Sequence, residues 1–423
     1  MSPTRPGLAV TALSIAVAAG VSTRAFTAGQ QQAPTLTFKA AATTVEVNLV
    51  AHDRRGQFVP NLNVEDLQLF EDGKPQAIDQ FYLVTHERGG QPFPVTGDTT
   101  AASEDRARRV FVLLFDEAHM DAEGLMRARA GANKFIDENV GPGDVAGVYH
   151  ANAMHGGVLT SSRAELHRAL AAVRPGFENR QALLATFREF PRIPSENDAI
   201  RIADGSLEVV NRIGVQVCRD DPPSCQLNGG VNQVENLIQQ KARLYVRQAR
   251  LMTANTLQNL RYVVNRLARI PGRKTLVFLS EGFLTEEARD EVMTIAGEAA
   301  RGGSVIYVID PRGLVGAPSA TQDVLSAAMG RATTFDTGDT GVSTLATATG
   351  GLRFRNIDDI SRAFNLVVRD TSTYYVIGYR PTNPTMDGTY RKIEVRSRVS
   401  GLTIRSRQGY RALELPPLEP IRR

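Results

Sequence analysis

The chain has 423 residues, 42% apolar and 22% charged, so it is long enough for two or three hydrophobic cores and ordinary in composition for a globular protein. A formal net charge of +4, with no dense block of Lys and Arg, gives no support to nucleic-acid binding. Two cysteines cannot close a structural zinc site, which takes four ligands.

Arg5 precedes an uncharged apolar stretch, Gly7 to Val21, and small residues follow around Ala25 and Ala28. A charged start, a short apolar core and a small-residue exit read as a signal peptide over residues 1–28. The apolar core is about 15 residues, short of the roughly 20 that span a bilayer. The expected mature chain is secreted or periplasmic, with no integral membrane span after cleavage; the alternative is an uncleaved anchor. No Cys follows the apolar core for lipid attachment.

Residues 35–87 read as an antiparallel β-unit. Val45, Val47 and Leu49 alternate with polar neighbours, and Glu71-Asp72-Gly73-Lys74 is a tight hairpin turn. Residues 88–105, rich in Gly, Pro and Thr, read as a linker. From residue 106 to 370 the texture changes. Val110 to Phe115, Val145 to Tyr149, Thr275 to Leu279 and Ser304 to Ile309 are unbroken apolar runs, as in strands buried on both faces. Helical spacing between them, over Asp121 to Asn139, Glu165 to Val173 and Glu286 to Arg301, predicts a doubly wound α/β sheet. Further short helices are expected at Asp323 to Met329 and Thr344 to Gly350, and a closing amphipathic helix at Ile357 to Arg369.

Residues 178–240 break the rhythm and read as a projecting helical insertion, followed by one long helix to about Ala268. Cys218 and Cys225 flank a Pro-Pro turn, which in an oxidising compartment reads as a disulfide; two free thiols are the alternative. Residues 371–412 hold three more strands, and 413–423 are expected to be a flexible tail. The two strand sets are each too small to bury a core, so one β-sandwich around the α/β domain is expected. Arg391, Lys392, Arg396, Arg398, Arg405 and Arg407 are expected on a solvated strand face.

No catalytic arrangement stands out. Gly141-Pro142-Gly143 follows a helix and enters a strand, the wrong context for a dinucleotide loop. His150 and His155 bracket a loop, with no carboxylate nearby in sequence. Ser280 next to Glu281 has no assignable base.

The entry segment VEVNLVAHDRRGQFVPNLNVEDLQLFEDGKPQAIDQF, the strand VFVLLFDEAH, the turn and strand IPGRKTLVFLSEGF and the ending YYVIGYRPTNPTMDGTYRKIEVRSR to GYRA together resemble a von Willebrand factor type A-related protein of the acidobacterial secreted type. The resemblance implies a Rossmann-like α/β domain flanked by β-structure, with a metal-ion-dependent adhesion site above the strand ends. That site normally reads Asp-x-Ser-x-Ser in the first loop, with a Thr from a second loop and an Asp from a later one. Asp116 matches the first Asp; Ala118 and Met120 stand where the two Ser belong, and Glu281 stands where the later Asp belongs. No Thr can be assigned. Asp116 and Glu281 are therefore the candidate ligands of a degenerate site, with Mg2+ or Ca2+ weak or absent. The expected function is protein binding of the adhesion type, not catalysis, through Asp116, His119 and Glu281 or the insertion. The alternatives are an envelope assembly factor acting through its β-domains and a metal-dependent hydrolase using Asp116, His119 and Glu281.

Overall fold

The computed structural model describes residues 44–86, 108–141, 143–176, 179–283, 288–313 and 339–419. The signal segment, the linker 88–105 and the helix expected at Asp323 to Met329 lie outside these residues.

At the centre is a six-stranded sheet built from β5 (Val110–Phe115), β6 (Val145–His150), β7 (Ala153–Met154), β8 (Lys274–Leu279), β9 (Ser304–Ile309) and β10 (Arg353–Phe354). The order is β10-β9-β8-β5-β6-β7, parallel throughout except for the β6–β7 hairpin at one edge. Every residue of β5, β8 and β9 is buried, which accounts for their unbroken apolar runs. Alternate residues divide between two faces. Phe111, Leu113 and Phe115 meet helices α1 (Ala122–Asn139), α2 (Arg163–Ala172) and α10 (Ile360–Ser372). Val110, Val112 and Leu114 meet the second half of α7 (Val231–Leu267), α8 (Arg289–Arg301) and α9 (Asp339–Thr349). The architecture is a mixed α/β one, consistent with a Rossmann-like arrangement.

Two antiparallel four-stranded sheets flank this layer, and each mixes strands from both ends of the chain. One has the order β13-β1-β11-β4, from β1 (Val45–His52), β4 (Gln80–Thr85), β11 (Thr373–Tyr379) and β13 (Thr403–Ser406). The other is β14-β12-β2-β3, from β2 (Leu67–Glu71), β3 (Lys74–Gln76), β12 (Tyr390–Ser397) and β14 (Gly409–Arg411). Val45, Val47 and Leu49 of the first sheet share one core with Leu69, Ile393 and Tyr410 of the second. The turn between β2 and β3 has positive φ at Asp72 (49°) and Gly73 (78°), the combination that a two-residue hairpin of matching twist requires.

The arginine-rich ending departs from the expected solvated face. Lys392, Arg396 and Arg398 are exposed, but Arg391 and Arg407 are buried. Arg391 donates to the carbonyls of Asn383 and Thr385 and faces Glu71 at 3.8 Å. Arg407 donates to the Ala300 carbonyl and lies against the Tyr410 ring. Main-chain oxygens meet part of the donor set of each buried guanidinium, and the Nε of both Arg391 and Arg407 is left without a partner among the described residues. Of the terminal segment, residues 413–419 are described: the Glu419 amide donates to the Arg269 carbonyl and the two side chains form an ion pair of 2.9 Å.

Between residues 180 and 249 a separate apolar core forms. It draws on α4 (Glu196–Ala203), α5 (Leu207–Asp220), α6 (Pro222–Leu227) and the first half of α7, with Phe187, Ile213, Ile238 and Tyr245 among its members. The short helix α3 (Arg180–Ala185) leads into it. The disulfide Cys218–Cys225 joins α5 to α6 at its edge. This core reaches past residue 240 to Ala249, so the insertion and the long helix are one body.

Lys274 opens β8 in the interior, with its amine donating to the Ile270 carbonyl at 2.7 Å. Burial pushes its pKa down to about 7, against the opposing charge of Glu46. Above that value the folded chain lacks a proton that the unfolded chain holds up to its ordinary 10.5. Stability is therefore expected to rise with pH across this window, at up to about 1.4 kcal/mol per pH unit. Lys274→Met should flatten the rise in urea unfolding curves taken at neutral and alkaline pH; an unchanged slope would refute the assignment.

Candidate functional site

The carboxyl edge of the central sheet is where open α/β folds place ligands. Main-chain bonds between neighbouring strand ends align three polar residues there. The Asp116 amide donates to Leu279, that of Ser280 to Ile309, and that of Asp310 to Phe354. Asp116, Ser280 and Asp310 thus occupy equivalent positions just beyond β5, β8 and β9.

Asp116 is the hub of a buried cluster. Its Oδ1 accepts from Thr256 Oγ1 at 2.9 Å and its Oδ2 from Ser280 Oγ at 2.6 Å. His119 Nδ1 lies 3.0 and 3.1 Å from the two oxygens and donates to them, because a carboxylate offers only lone pairs. The His119 ring also packs against Phe283, with centroids 5.7 Å apart. The side chains of His119 and Asp116 are only 3% and 1% exposed. A partner docking on this rim would not reach their polar atoms.

Glu281 faces elsewhere. Its Oε1 accepts from the Asp121 amide at 3.0 Å, at the start of α1, whose cap is completed by Asp121 Oδ1 accepting from Gly124 N. A Cβ on Gly124 would stand 2.2 Å from Glu281 Oε1, so glycine is what lets the carboxyl approach the helix. Burial, and then the neighbouring Asp121 charge, push the Glu281 pKa up to about 7, with the Asp121 amide and Arg312 opposing. Arg312 is itself paired with Asp310 at 2.5 Å.

The two positions that lack a hydroxyl have structural roles. Met120 is 1% exposed in the core under α1, and the Ala118 carbonyl accepts from the Arg180 amide, where α3 begins. The hydroxyl that no sequence position offered comes from Thr256, inside α7 and 140 residues from Asp116. Its spacing marked only the packed stripe of a long helix, so nothing in sequence pointed to it.

This donor set does not fit a divalent cation. Magnesium and calcium need about six converging oxygens. Here Asp116 is the one carboxylate at the centre and its oxygens already accept from three side chains, while Glu281 is committed to α1. Among the described residues, no group of three or more His, Cys, Asp or Glu side chains is placed to hold a metal. The cluster instead ties β5, β8 and α7 together. Neither Ser280 nor Thr256 hands its proton to an imidazole: both hydroxyls donate to Asp116.

A second polar group lies at the sheet edge. His150 Nε2 and His155 Nδ1 are 3.2 Å apart across the β6–β7 hairpin. Glu117 lies 3.9 Å from His150 and accepts from the amides of Ala151 and Arg174, a carboxylate too distant in sequence to be linked to the two histidines beforehand.

No family model and no curated protein matches the chain. Among solved structures, BatB from Bacteroides thetaiotaomicron, a conserved hypothetical protein, is 13% identical, with 62% of this chain and 97% of that one covered at a TM-score of 0.30. An aerotolerance-related membrane protein from Bacteroides fragilis is 14% identical, with coverage of 62% and 98% and a TM-score of 0.29. Proximal thread matrix protein 1 from the mussel byssus is 11% identical, with coverage of 62% and 47% and a TM-score of 0.26. Scores this low carry no argument about what the chain does.

Asp116→Ala would leave three buried donors without their acceptor and is expected to lower the unfolding free energy by about 3 kcal/mol or more. About 10 mM magnesium or calcium is expected to move the melting temperature of the unaltered chain by no more than about 1 °C, since only a bound ion stabilises. A clear upward shift that Asp116→Ala abolishes would show that a cation is held here after all.

Proposed function

We propose that this chain is an exported protein-binding module, in which a von Willebrand factor A-like core serves as the scaffold and the helical insertion as the contact surface. The observation that carries the reading is where apolar surface is left uncovered. Fourteen large apolar side chains are exposed among the described residues, and six of them, Leu207, Val215, Leu227, Val231, Leu244 and Leu251, lie on the insertion. Six of fourteen on one helical body is a concentration of uncovered apolar side chains, and such a concentration is what a docking region presents. The insertion has its own core, so these side chains are not leftovers of an unfinished one.

Export is supported by the signal-like opening and by the Cys218–Cys225 disulfide, a bond that persists in oxidising compartments. None of the helices is long and apolar enough to cross a membrane, among the described residues. Contact through a cation at Asp116 and Glu281 is not part of the proposal, for the reasons of geometry given above.

The test is site-specific photo-crosslinking in the cell that makes the protein. A photoreactive residue at Leu207 or Leu227 is expected to give discrete adducts with another protein, and one at Met126 on α1 none. Adducts from Leu83 on β4 alone would shift the contact to the β-domains, and none from any position would remove the binding reading.

A further inference from the structure

We propose that the insertion binds an acidic amphipathic helix of a partner protein, in a groove on α7 rimmed by Arg243, Arg247 and Arg250. This rests on the binding reading above and specifies the partner's chemistry.

The groove has a volume of about 500 Å³, within the range of ligand-sized clefts. Its floor is apolar, from Val246, Leu251 and Ala254 of α7 and Ala203 at the end of α4. The three arginines are spaced i, i+4 and i+7, which puts them on one stripe of the helix, spread over about 10 Å. All three are exposed. No ion pair engages Arg243 or Arg247 among the described residues, although other arginines of this region are paired, as Arg212 is with Asp198. The whole of α7 carries six Lys or Arg side chains against a single glutamate, Glu235, near its start. An apolar floor beside a row of cations is complementary to a helix with an apolar stripe flanked by Asp and Glu at the same spacing. A lipid surface would meet the same arginines and the exposed Leu251, and the vesicle measurement below separates it from a helical partner. Phosphate-bearing partners would use the arginines and leave the apolar floor uncovered.

The experiment uses the full chain and a fluorescein-labelled peptide of about 18 residues, with Leu at i, i+3, i+4 and i+7 positions and Glu on the flanks. Anisotropy is expected to give saturable binding with a Kd on the order of 10 μM, weakening with salt. The same peptide with Lys for Glu should bind at least about tenfold more weakly. R243E/R247E should reverse that preference while keeping the wild-type melting temperature, which separates lost recognition from lost fold. Equal binding of both peptides, or no effect of the charge reversal, would overturn the proposal. So would attachment to phosphatidylglycerol vesicles without peptide binding, or self-association abolished by R243E/R247E in place of peptide capture. Photo-adducts from Leu227 that persist in R243E/R247E would leave the binding function standing and remove only this groove from it.

Discussion

The carboxylate of Glu71 is the point on which the assembly of the chain turns. It is 3% exposed at the end of β2, and it accepts from Tyr379 Oη at 2.5 Å and Tyr410 Oη at 3.0 Å while facing Arg391 at 3.8 Å. Those three partners come from β11, β14 and β12, about 310 to 340 residues later in the chain. An isolated buried carboxylate costs several kcal/mol, so each end of the chain is a poor structure without the other. Burial and Glu71 together push the phenols of Tyr379 and Tyr410 up, so both stay protonated donors. The β1–β11 register, Val45 opposite Tyr379 through Leu49 opposite Tyr375, makes the same closure with main-chain bonds. Closing so long a loop costs entropy that grows only slowly with its length, which is why an α/β domain of this size can sit between paired strands.

That closure fixes the α/β layer from below. Helix α8 packs on the second half of α7 through Arg261 and Glu298, and against β14, where Gly297 leaves room for the Arg411 side chain. Arg411 in turn donates to Thr294 on α8 and to the Gly388 carbonyl. The amino ends of the parallel strands therefore rest on β-structure, and the carboxyl ends are the ones left facing the loops. Buried Lys274 at the start of β8 belongs to this lower junction: burial there brings the lysine close to losing its charge, and Glu46 of β1 works against that loss.

Periodicity made much of this legible. Unbroken apolar runs marked the strands that are covered on both faces, alternation marked β1, and the Asp72-Gly73 turn marked the first hairpin. What the sequence could not show was chemistry assembled across distance. Arg391 and Arg407 look like solvated charges on an alternating strand, and what accommodates them in the interior comes from elsewhere: the carbonyls of Asn383, Thr385 and Ala300, the carboxylates of Glu71 and Asp387, and the Tyr410 ring. Asp116 was visible because it stands, directly after a buried strand, where the resemblance places the first Asp of the site. Thr256 was not, because a threonine inside a helix more often returns its hydroxyl to its own helix than to a strand end. Glu281 stood next to the right strand, but its side chain points toward α1, a direction set by Gly124 and invisible to spacing.

The inward-turned crevice and the outward insertion are two consequences of one loop. After β5 the chain must leave Asp116, cover the sheet edge and start α1 within five residues, at Asp121. His119 folds back onto Asp116, Met120 drops into the core, and the Ala118 carbonyl is left to fix the Arg180 amide at the root of the insertion. From that root, Arg180 pairs with the buried Glu196 at 2.5 Å, and Glu196 also accepts from Tyr245 of α7. Burial and the Glu196 charge act together to push the Tyr245 phenol far up, so it remains a donor in this network. A run of contacts thus connects the strand end to α3, α4 and the middle of α7, which is also the helix that supplies Thr256 to Asp116. Hydroxyls at positions 118 and 120 would open the crevice to water and ions but remove the Met120 packing beneath α1. The residues present favour a rigid base for the insertion over an ion site.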